Sequence, residues 1–244
     1  MKISQEQKVE IRRKLLSAAV ELFTEKGFGG ATMREISKLA GCSPGTVYNY
    51  FPTKEAIFYA YFEEKQDELF RALAEIEDFE ALDLKEKLQA MMEAHIEVYT
   101  PDREFVEIVY RALLDSPMKS YTELRPLQAR FADEVGGYFA VAVEKGQIAP
   151  QPFGGFLANL VWDYKNLTVL YWLKDTSAEF VNTTRLIDMS LDIFVDIIKS
   201  NLITKTADIL SFLVRSHLFG NVDKMFRLVT LVTEAGAAAP WGRR

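Results

Sequence analysis

The stretch Ala31-Thr-Met-Arg-Glu-Ile-Ser-Lys-Leu-Ala-Gly-Cys-Ser-Pro-Gly-Thr-Val-Tyr-Asn-Tyr-Phe51 reads as two short helices joined by a tight turn. Thr32 and Glu35 have the Thr-x-x-Glu spacing of a capping box, in which two side chains satisfy the free N–H groups that open a helix. Ile36, Leu39 and Ala40 then share one face of that helix. Gly41 is free to take the left-handed conformation that closes it. Ser43 followed by Pro44 opens the next helix, where proline's missing N–H costs nothing. Val47 and Phe51, four residues apart, pin this second helix to the first. Gly45, Thr46, Tyr48, Asn49 and Tyr50 are left on or near the outer surface. Gly45 adds no bulk where a backbone approaches another molecule, and an asparagine can bond an adenine edge through two hydrogen bonds. Tyrosine and threonine hydroxyls are ordinary phosphate ligands. Lys54 adds a positive charge beside the N–H groups that open the helix after this pair.

A packed helical hairpin with incidental polar residues outside is the plainer alternative. Against it stands a dense likeness to known proteins. Leu15-Leu-Ser-Ala-Ala-Val-Glu-Leu-Phe-Thr-Glu-Lys-Gly-Phe28 resembles the first helix of the TetR family of bacterial transcriptional repressors, and Thr32 to Glu55 resembles its second and third helices and the start of the fourth. The likeness covers about the first quarter of the chain. It implies an all-α protein, with a three-helix DNA-binding head at 1–54 and a larger helical effector-binding and dimerisation body at 55–244. The candidate DNA-contacting residues are Thr32, Arg34, Ser43, Pro44, Gly45, Thr46, Tyr48, Asn49, Tyr50 and Lys54. The resemblance further implies a homodimer on a palindromic double-stranded operator, released when a small effector enters the body.

Charge agrees with that division. The whole chain of 244 residues has a net charge of −6, yet residues 1–54 hold nine Lys/Arg against five Glu, a net of +4, leaving −10 for the rest. A basic head on an acidic body directs a polyanion to the head alone. A single cysteine, Cys42, excludes an internal disulfide and fits a reducing cytoplasm. No Cys/His set has metal-ligand spacing, no signal-peptide core is evident at the N-terminus, and apolar runs are broken before membrane-spanning length. The expectation is therefore a cytoplasmic protein with no metal, cofactor or membrane partner.

Taken in order, residues 5–26 form an amphipathic helix ended by Gly27, Gly29 and Gly30, with Ile11, Leu15, Ala18, Ala19, Leu22 and Phe23 on one face. Residues 54–76 read as one helix able to connect head and body mechanically. Further helices are expected near 83–99, 102–115, 120–146, 153–175, 178–200, 204–218 and 221–235, with a frayed tail from Gly236 to Arg244. Pro126 is expected to kink the 120–146 helix or to mark its start. The 153–175 helix is apolar nearly all round, so both its sides must be covered. The resemblance pairs it with 178–200 in a four-helix bundle with the partner subunit, and a charge at Val169 is expected to break that dimer. The alternative is a core helix covered wholly within the chain.

His95 and Tyr99 lie in line with Leu84, Leu88, Met91 and Met92. Asn159, Asp163 and Asn166 form a stripe beside Trp162. Either these face inward onto a cavity, or His95 is a hydrogen-bonded core histidine and the stripe is solvated. The resemblance implies a pocket in the body, and the candidate wall is His95, Tyr99, Tyr110, Trp162 and Asn166, suited to an apolar or aromatic effector. Two further classes compete. A helical lipid carrier shares this fold, but its head should lose the surface Lys, Tyr and Asn that this head retains. An enzyme would need a catalytic constellation, and no Ser/His/Asp or Cys/His set or phosphate-binding glycine loop is present.

Overall fold

The computed structural model describes residues 4–115, 117–151, 154–200 and 205, with side chains outside 115–122. Within these residues every regular element is helical, as expected for an all-α chain. The helices are α1 (Gln5–Gly30), α2 (Met33–Leu39), α3 (Pro44–Tyr50), α4 (Lys54–Ala74), α5 (Leu84–Tyr99), α6 (Arg103–Asp115), α7 (Pro117–Glu144), α8 (Gly154–Trp172) and α9 (Val181–Lys199). Single 3-10 turns at Phe79–Ala81, Thr100–Asp102 and Ala178–Phe180 connect some of them. The expected helices at 204–218 and 221–235, the tail, Phe153 and His217 lie outside the described residues.

The head forms as its local signals predict. Ser4 with Gln7 and Thr32 with Glu35 make reciprocal capping boxes. Gly27, at φ +71, breaks α1 after its amphipathic part, and Gly41, at φ +68, reverses the chain after α2. One detail differs: Leu39 is 47% exposed, and α2 is anchored by Met33, Ile36 and Ser37 instead.

Head and body share one core. Phe23 of α1 meets Phe58 of α4 edge-on at 5.5 Å and stacks on Phe105 of α6 at 6.1 Å, while Tyr61 of α4 meets Phe105 at 4.7 Å. Arg12 of α1 reaches across to Glu63 at 2.8 Å and pairs with Glu64.

In the body, α7 runs through Pro126, beginning at Pro117 rather than at the second proline. Arg103 of α6 closes the end of α8, donating to the carbonyls of Trp172, Leu173 and Asp175 at 2.8–3.2 Å between the rings of Trp172 and Phe180. Asp175 accepts from the N–H and hydroxyl of both Ser177 and Thr183, which starts α9. Lys85 of α5 holds Asp188 and Asp192 of α9.

The two sides of α8 are assigned by this packing. Leu157, Val161, Trp162, Lys165, Thr168, Val169 and Trp172 are buried. Phe156, Leu160, Leu167 and Tyr171 are exposed, alongside Val181, Leu186, Met189, Ile193 and Ile197 of α9. Val169, at 1% exposure, is therefore a core residue, and a charge there would unfold the body rather than test an interface. Neither Gly154 nor Gly155 has a neighbour within 4 Å of where a Cβ would stand, so no described helix of this chain uses the space beside them.

Candidate nucleic-acid interface and body cavity

The turn between α2 and α3 presents a compact polar face. Val47 and Phe51 are buried and hold α3 down. Ser43, Pro44, Gly45, Tyr48 and Asn49 are exposed, while Thr46 and Tyr50 are half-buried at its edges. Arg34 and Lys38 on α2 are exposed and make no ion pair among the described residues. A Cβ at Gly45 would meet nothing within 4 Å, and its φ is not in the left-handed region, so no described residue demands glycine there.

Four of the candidate DNA-contacting side chains are already engaged. Thr32 accepts from the Glu35 N–H at 3.2 Å and donates to its carboxylate at 2.8 Å. Lys26, at 2.9 Å, and Thr32 together hold the Glu35 carboxyl down at about 2. Ser43 occupies the N-cap of α3, yet its hydroxyl pairs with that of Thr46 at 2.8 Å instead of accepting from a backbone N–H. The largest departure is Lys54. Its ammonium turns inward to donate to the carbonyls of Phe28 at 2.6 Å and Ala31 at 3.0 Å, and lies 4.5 Å from the centroid of the Phe28 ring. The break at Gly27 leaves those carbonyls without helical partners, and a half-buried cation one helix away satisfies them. In this conformation Lys54 ties the α1–α2 joint to α4 and does not present a charge to phosphate.

The five side chains predicted to line a pocket do come together. His95 and Tyr99 of α5, Tyr110 of α6, and Trp162 and Asn166 of α8 surround one cavity, joined by Phe62 and Gln66 of α4, Leu124 and Leu127 of α7, and Lys165. The stripe on α8 divides: Asn166 faces the cavity, whereas Asp163 is exposed and Asn159 pairs at the surface with Gln128 and with the Gly155 carbonyl. The enclosed space is about 20 Å³, enough for a water molecule and too small for an organic ligand.

Its polar groups are few and unusually arranged. Tyr110 donates to Asn166 Oδ1 at 3.0 Å. His95 Nδ1 lies 3.0 Å from the Met91 carbonyl, which can only accept, so Nδ1 carries the proton and Nε2 is a bare acceptor. Burial, with the nearby Lys165 charge, pushes the His95 pKa down to about 3 and keeps the ring neutral. Lys165 is 4% exposed and makes no ion pair among the described residues. Its ammonium sits 3.7 Å from the centroid of the Trp162 ring, and burial lowers its pKa to about 7. Gln66 donates to the Leu127 carbonyl at 3.1 Å, leaving its buried Oε1 without a donor. Sequence reasoning missed Phe62, Gln66 and Lys165. The available signals were Gln66 one turn after Phe62, and a lone lysine one turn after Trp162 on an otherwise apolar helix.

Among the described residues no His/Cys/Asp/Glu group could hold a metal ion, and no helix is long and apolar enough to cross a membrane. Residues 15–61 match a family described as bacterial regulatory proteins, tetR family, and residues 87–213 match a tetracyclin repressor-like C-terminal domain. The fatty acid metabolism regulator protein of Bacillus subtilis is 25% identical over 134 residues, covering 55% of this chain and 69% of that protein. The regulator UidR of Escherichia coli is 44% identical over 63 residues, 26% of this chain and only 31% of that one. The crystal structure of the regulator FadR from Bacillus subtilis, in complex with stearoyl-CoA, superposes with a TM-score of 0.59 at 21% identity, covering 73% of this chain and 96% of that one. At that identity the superposition establishes a shared fold.

Two consequences are measurable. Lys54→Ala removes two charge-assisted hydrogen bonds and should cost about 2 kcal/mol in urea unfolding, with the salt dependence of DNA binding unchanged. A salt slope lowered by about one unit per subunit at unchanged stability would instead place this lysine on phosphate. For Lys165, the depressed pKa of about 7 lies below the ordinary 10.5 of the unfolded chain. Between those values the unfolded state holds a proton that the folded state has shed, so this residue's contribution rises with pH from 7 to 10.5 and its penalty is full below 7. Lys165→Met should therefore stabilise by on the order of 3 kcal/mol at pH about 6 and by little above pH 10. Thermal melts of both proteins across that range check it; an equal gain at every pH would contradict a buried, titrating lysine.

Proposed function

This chain belongs to the tetR family of bacterial regulatory proteins, which are DNA-binding transcriptional regulators, and on that premise we propose that it acts as a homodimeric, effector-responsive repressor of a near-palindromic operator. The DNA-binding head is residues 1–54 and the effector-binding, dimer-forming body residues 55–244. The recognition face is Gly45, Thr46, Tyr48, Asn49 and Tyr50, with Arg34 and Lys38 supplying charge. The glycine at 45 supports this, since no described residue needs it there and a close neighbour outside the chain would. The retained Tyr48 and Asn49 also count against a lipid carrier that no longer binds DNA.

One observation carries the switch. Helix α4 is held at its first residue to the α1–α2 joint by Lys54, packs Phe58 against α1, and one and two turns later places Phe62 and Gln66 in the cavity wall. The cavity is too small for an effector as it stands, so an occupant has to displace part of its wall. An effector that displaces α4 therefore binds the displaced conformation better than this one, which is the differential affinity a switch requires. Coupling of about 1.4 kcal/mol lowers operator affinity tenfold. Tyr99, Tyr110, His95, Trp162 and Asn166 form the rest of that wall, suited to an effector that is mostly apolar. The stearoyl-CoA held by the Bacillus subtilis protein supports an apolar body in the ligand.

The dimer forms through α8 and α9. Both helices expose apolar side chains, and a groove of about 330 Å³ lies between Leu160, Tyr164, Ile193 and Ile197. A face of this kind is covered in stable proteins, and a self-complementary helix pair meets its copy across a two-fold axis. The two recognition helices then lie about 34–36 Å apart or at a larger multiple, matching operator half-sites.

Gly45→Ala should raise helix stability by up to about 1 kcal/mol yet weaken operator binding, and Asn49→Ala should relax base preference at particular positions by about 1–3 kcal/mol. A site-selection assay on both variants decides; unchanged preference at every position removes Asn49 from the recognition face. Leu167→Glu, on a residue 64% exposed, should leave the fold intact and yield monomers in sedimentation that lose the full operator. A wild-type monomer would reject the interface while leaving the head's assignment untouched.

A further inference from the structure

The body cavity is mismatched in one direction. Its polar wall holds a buried ammonium at Lys165 with three donors and no hydrogen-bond or ion-pair partner among the described residues. Asn166 spends its oxygen on Tyr110, which turns its amide donors to other use. On the other side stand two bare acceptors: Gln66 Oε1, buried without a donor, and the Nε2 of a neutral His95. The Gln66 orientation is secured by the Leu127 carbonyl, which can bond only its NH2. Buried polar groups are rarely left unpaired, and an unpaired cation is the most costly of them. The Trp162 ring face offsets part of that cost, but it supplies no hydrogen bond.

Asp163, the nearest acid on the same helix, is exposed and acts on Lys165 only through space, raising its pKa slightly against burial, so among the described residues no counter-ion pairs with the ammonium. The other titratable groups around the ammonium are His95 and Tyr99 on α5 and Tyr110 on α6. Burial holds the first neutral and raises the pKa of both tyrosines. Helices α4 and α7 present Phe62, Gln66, Leu124 and Leu127, none of which titrates.

We propose that the cavity takes a small organic acid, whose carboxylate pairs with Lys165 and whose apolar or aromatic body lies against Phe62, Leu124, Leu127 and Trp162. A hydroxyl or amide N–H on that body would satisfy Gln66 and His95. The proposal rests on the reading of this cavity as the effector site and adds to it the charge of the ligand. It also explains the placement of an unpaired cation there: the empty site is destabilised by Lys165, and an anion converts that penalty into affinity. An occupied site keeps Lys165 protonated, so at pH above about 8 binding takes up a proton.

The test uses the full chain and four probes: 3-(4-hydroxyphenyl)propionate, octanoate and the neutral primary amide of each. Thermal melts and titration calorimetry are run on the wild type, Lys165→Met and Lys165→Arg. Lys165→Met removes a buried unpaired charge, so it should fold, and Lys165→Arg keeps the charge. At least one acid is expected to bind the wild type at about 1 mM or tighter, with its amide at least about tenfold weaker. Lys165→Met should lose about tenfold for the acid and nothing for the amide, while Lys165→Arg recovers part of the loss. Calorimetry in buffers of different ionisation enthalpy should show proton uptake near pH 8 in the wild type and none in Lys165→Met. If an amide binds as tightly as its acid, or Lys165→Met binds the acid unimpaired, the anionic ligand is refuted while the cavity remains an effector site. If no acid and no amide binds, the proposal fails together with the effector-site reading.

Discussion

Phe58, on the second turn of α4, packs against Phe23 of α1 at 5.5 Å and against Phe105 of α6 at 5.9 Å, and Phe28 closes on it from the end of α1 at 4.7 Å. That cluster is the constraint under which the rest of the molecule is arranged. Helices α2 and α3 have two turns each and are too short to persist alone. Their buried residues, Met33, Ile36 and Val47, need a floor, and the α1 against which α2 packs is itself held by α4. The same α4 must then serve as a wall of the body, because its next two inward turns carry Phe62 and Gln66. A head that cannot close its core without α4, and a cavity that cannot close without α4, are mechanically joined whatever occupies the cavity.

Charge in the head is less available than its net value suggests. Arg12 is spent on Glu63 and Glu64, Lys26 on Glu35, Arg13 and Lys14 on Glu10, and Lys54 on backbone carbonyls. Among the described residues Lys8, Arg34 and Lys38 are left exposed without an ion pair. Exposed pairs such as Arg13 with Glu10 are worth little and part easily, so they still add to the field around the head. Arg12 and Lys54 are different, since each joins α4 to another element and is partly withdrawn from solvent.

The cavity shows the opposite economy. Tyr110 donates to the Asn166 oxygen, yet among the described residues Lys165 and the Gln66 oxygen are buried without a hydrogen-bond or ion-pair partner. A fold selected for stability alone would place a methionine or leucine at both positions. Local sequence rules and stability diverge mainly where a site is kept for something else.

Much of the architecture was legible before any coordinates. Thr32 with Glu35, Ser43 with Pro44, and the glycines at 27 and 41 marked the helix ends, because capping and left-handed turns are settled by groups within one turn of each other. The body pocket was implied by the family resemblance, and polar positions on apolar helices suggested its wall, although the same stripe on α8 also offered Asn159 and Asp163, which face out. What failed depended on distant partners. Lys54 was expected on DNA, and it turns inward because the break at Gly27, in another helix, leaves carbonyls without donors. Val169 was expected at the dimer face, and it is buried because α8 is apolar all round and its own sequence has no phase; α5 and α7 choose the side. Lys165 escaped notice for the same reason, since a lone lysine reads as solvated until five helices are seen to enclose it. Sequence by itself determined the described helices, the helix-turn-helix and the family, whose signals are short-range and periodic. Only the tertiary structure decided which faces are covered and where long side chains point, because both depend on packing between residues far apart in the chain.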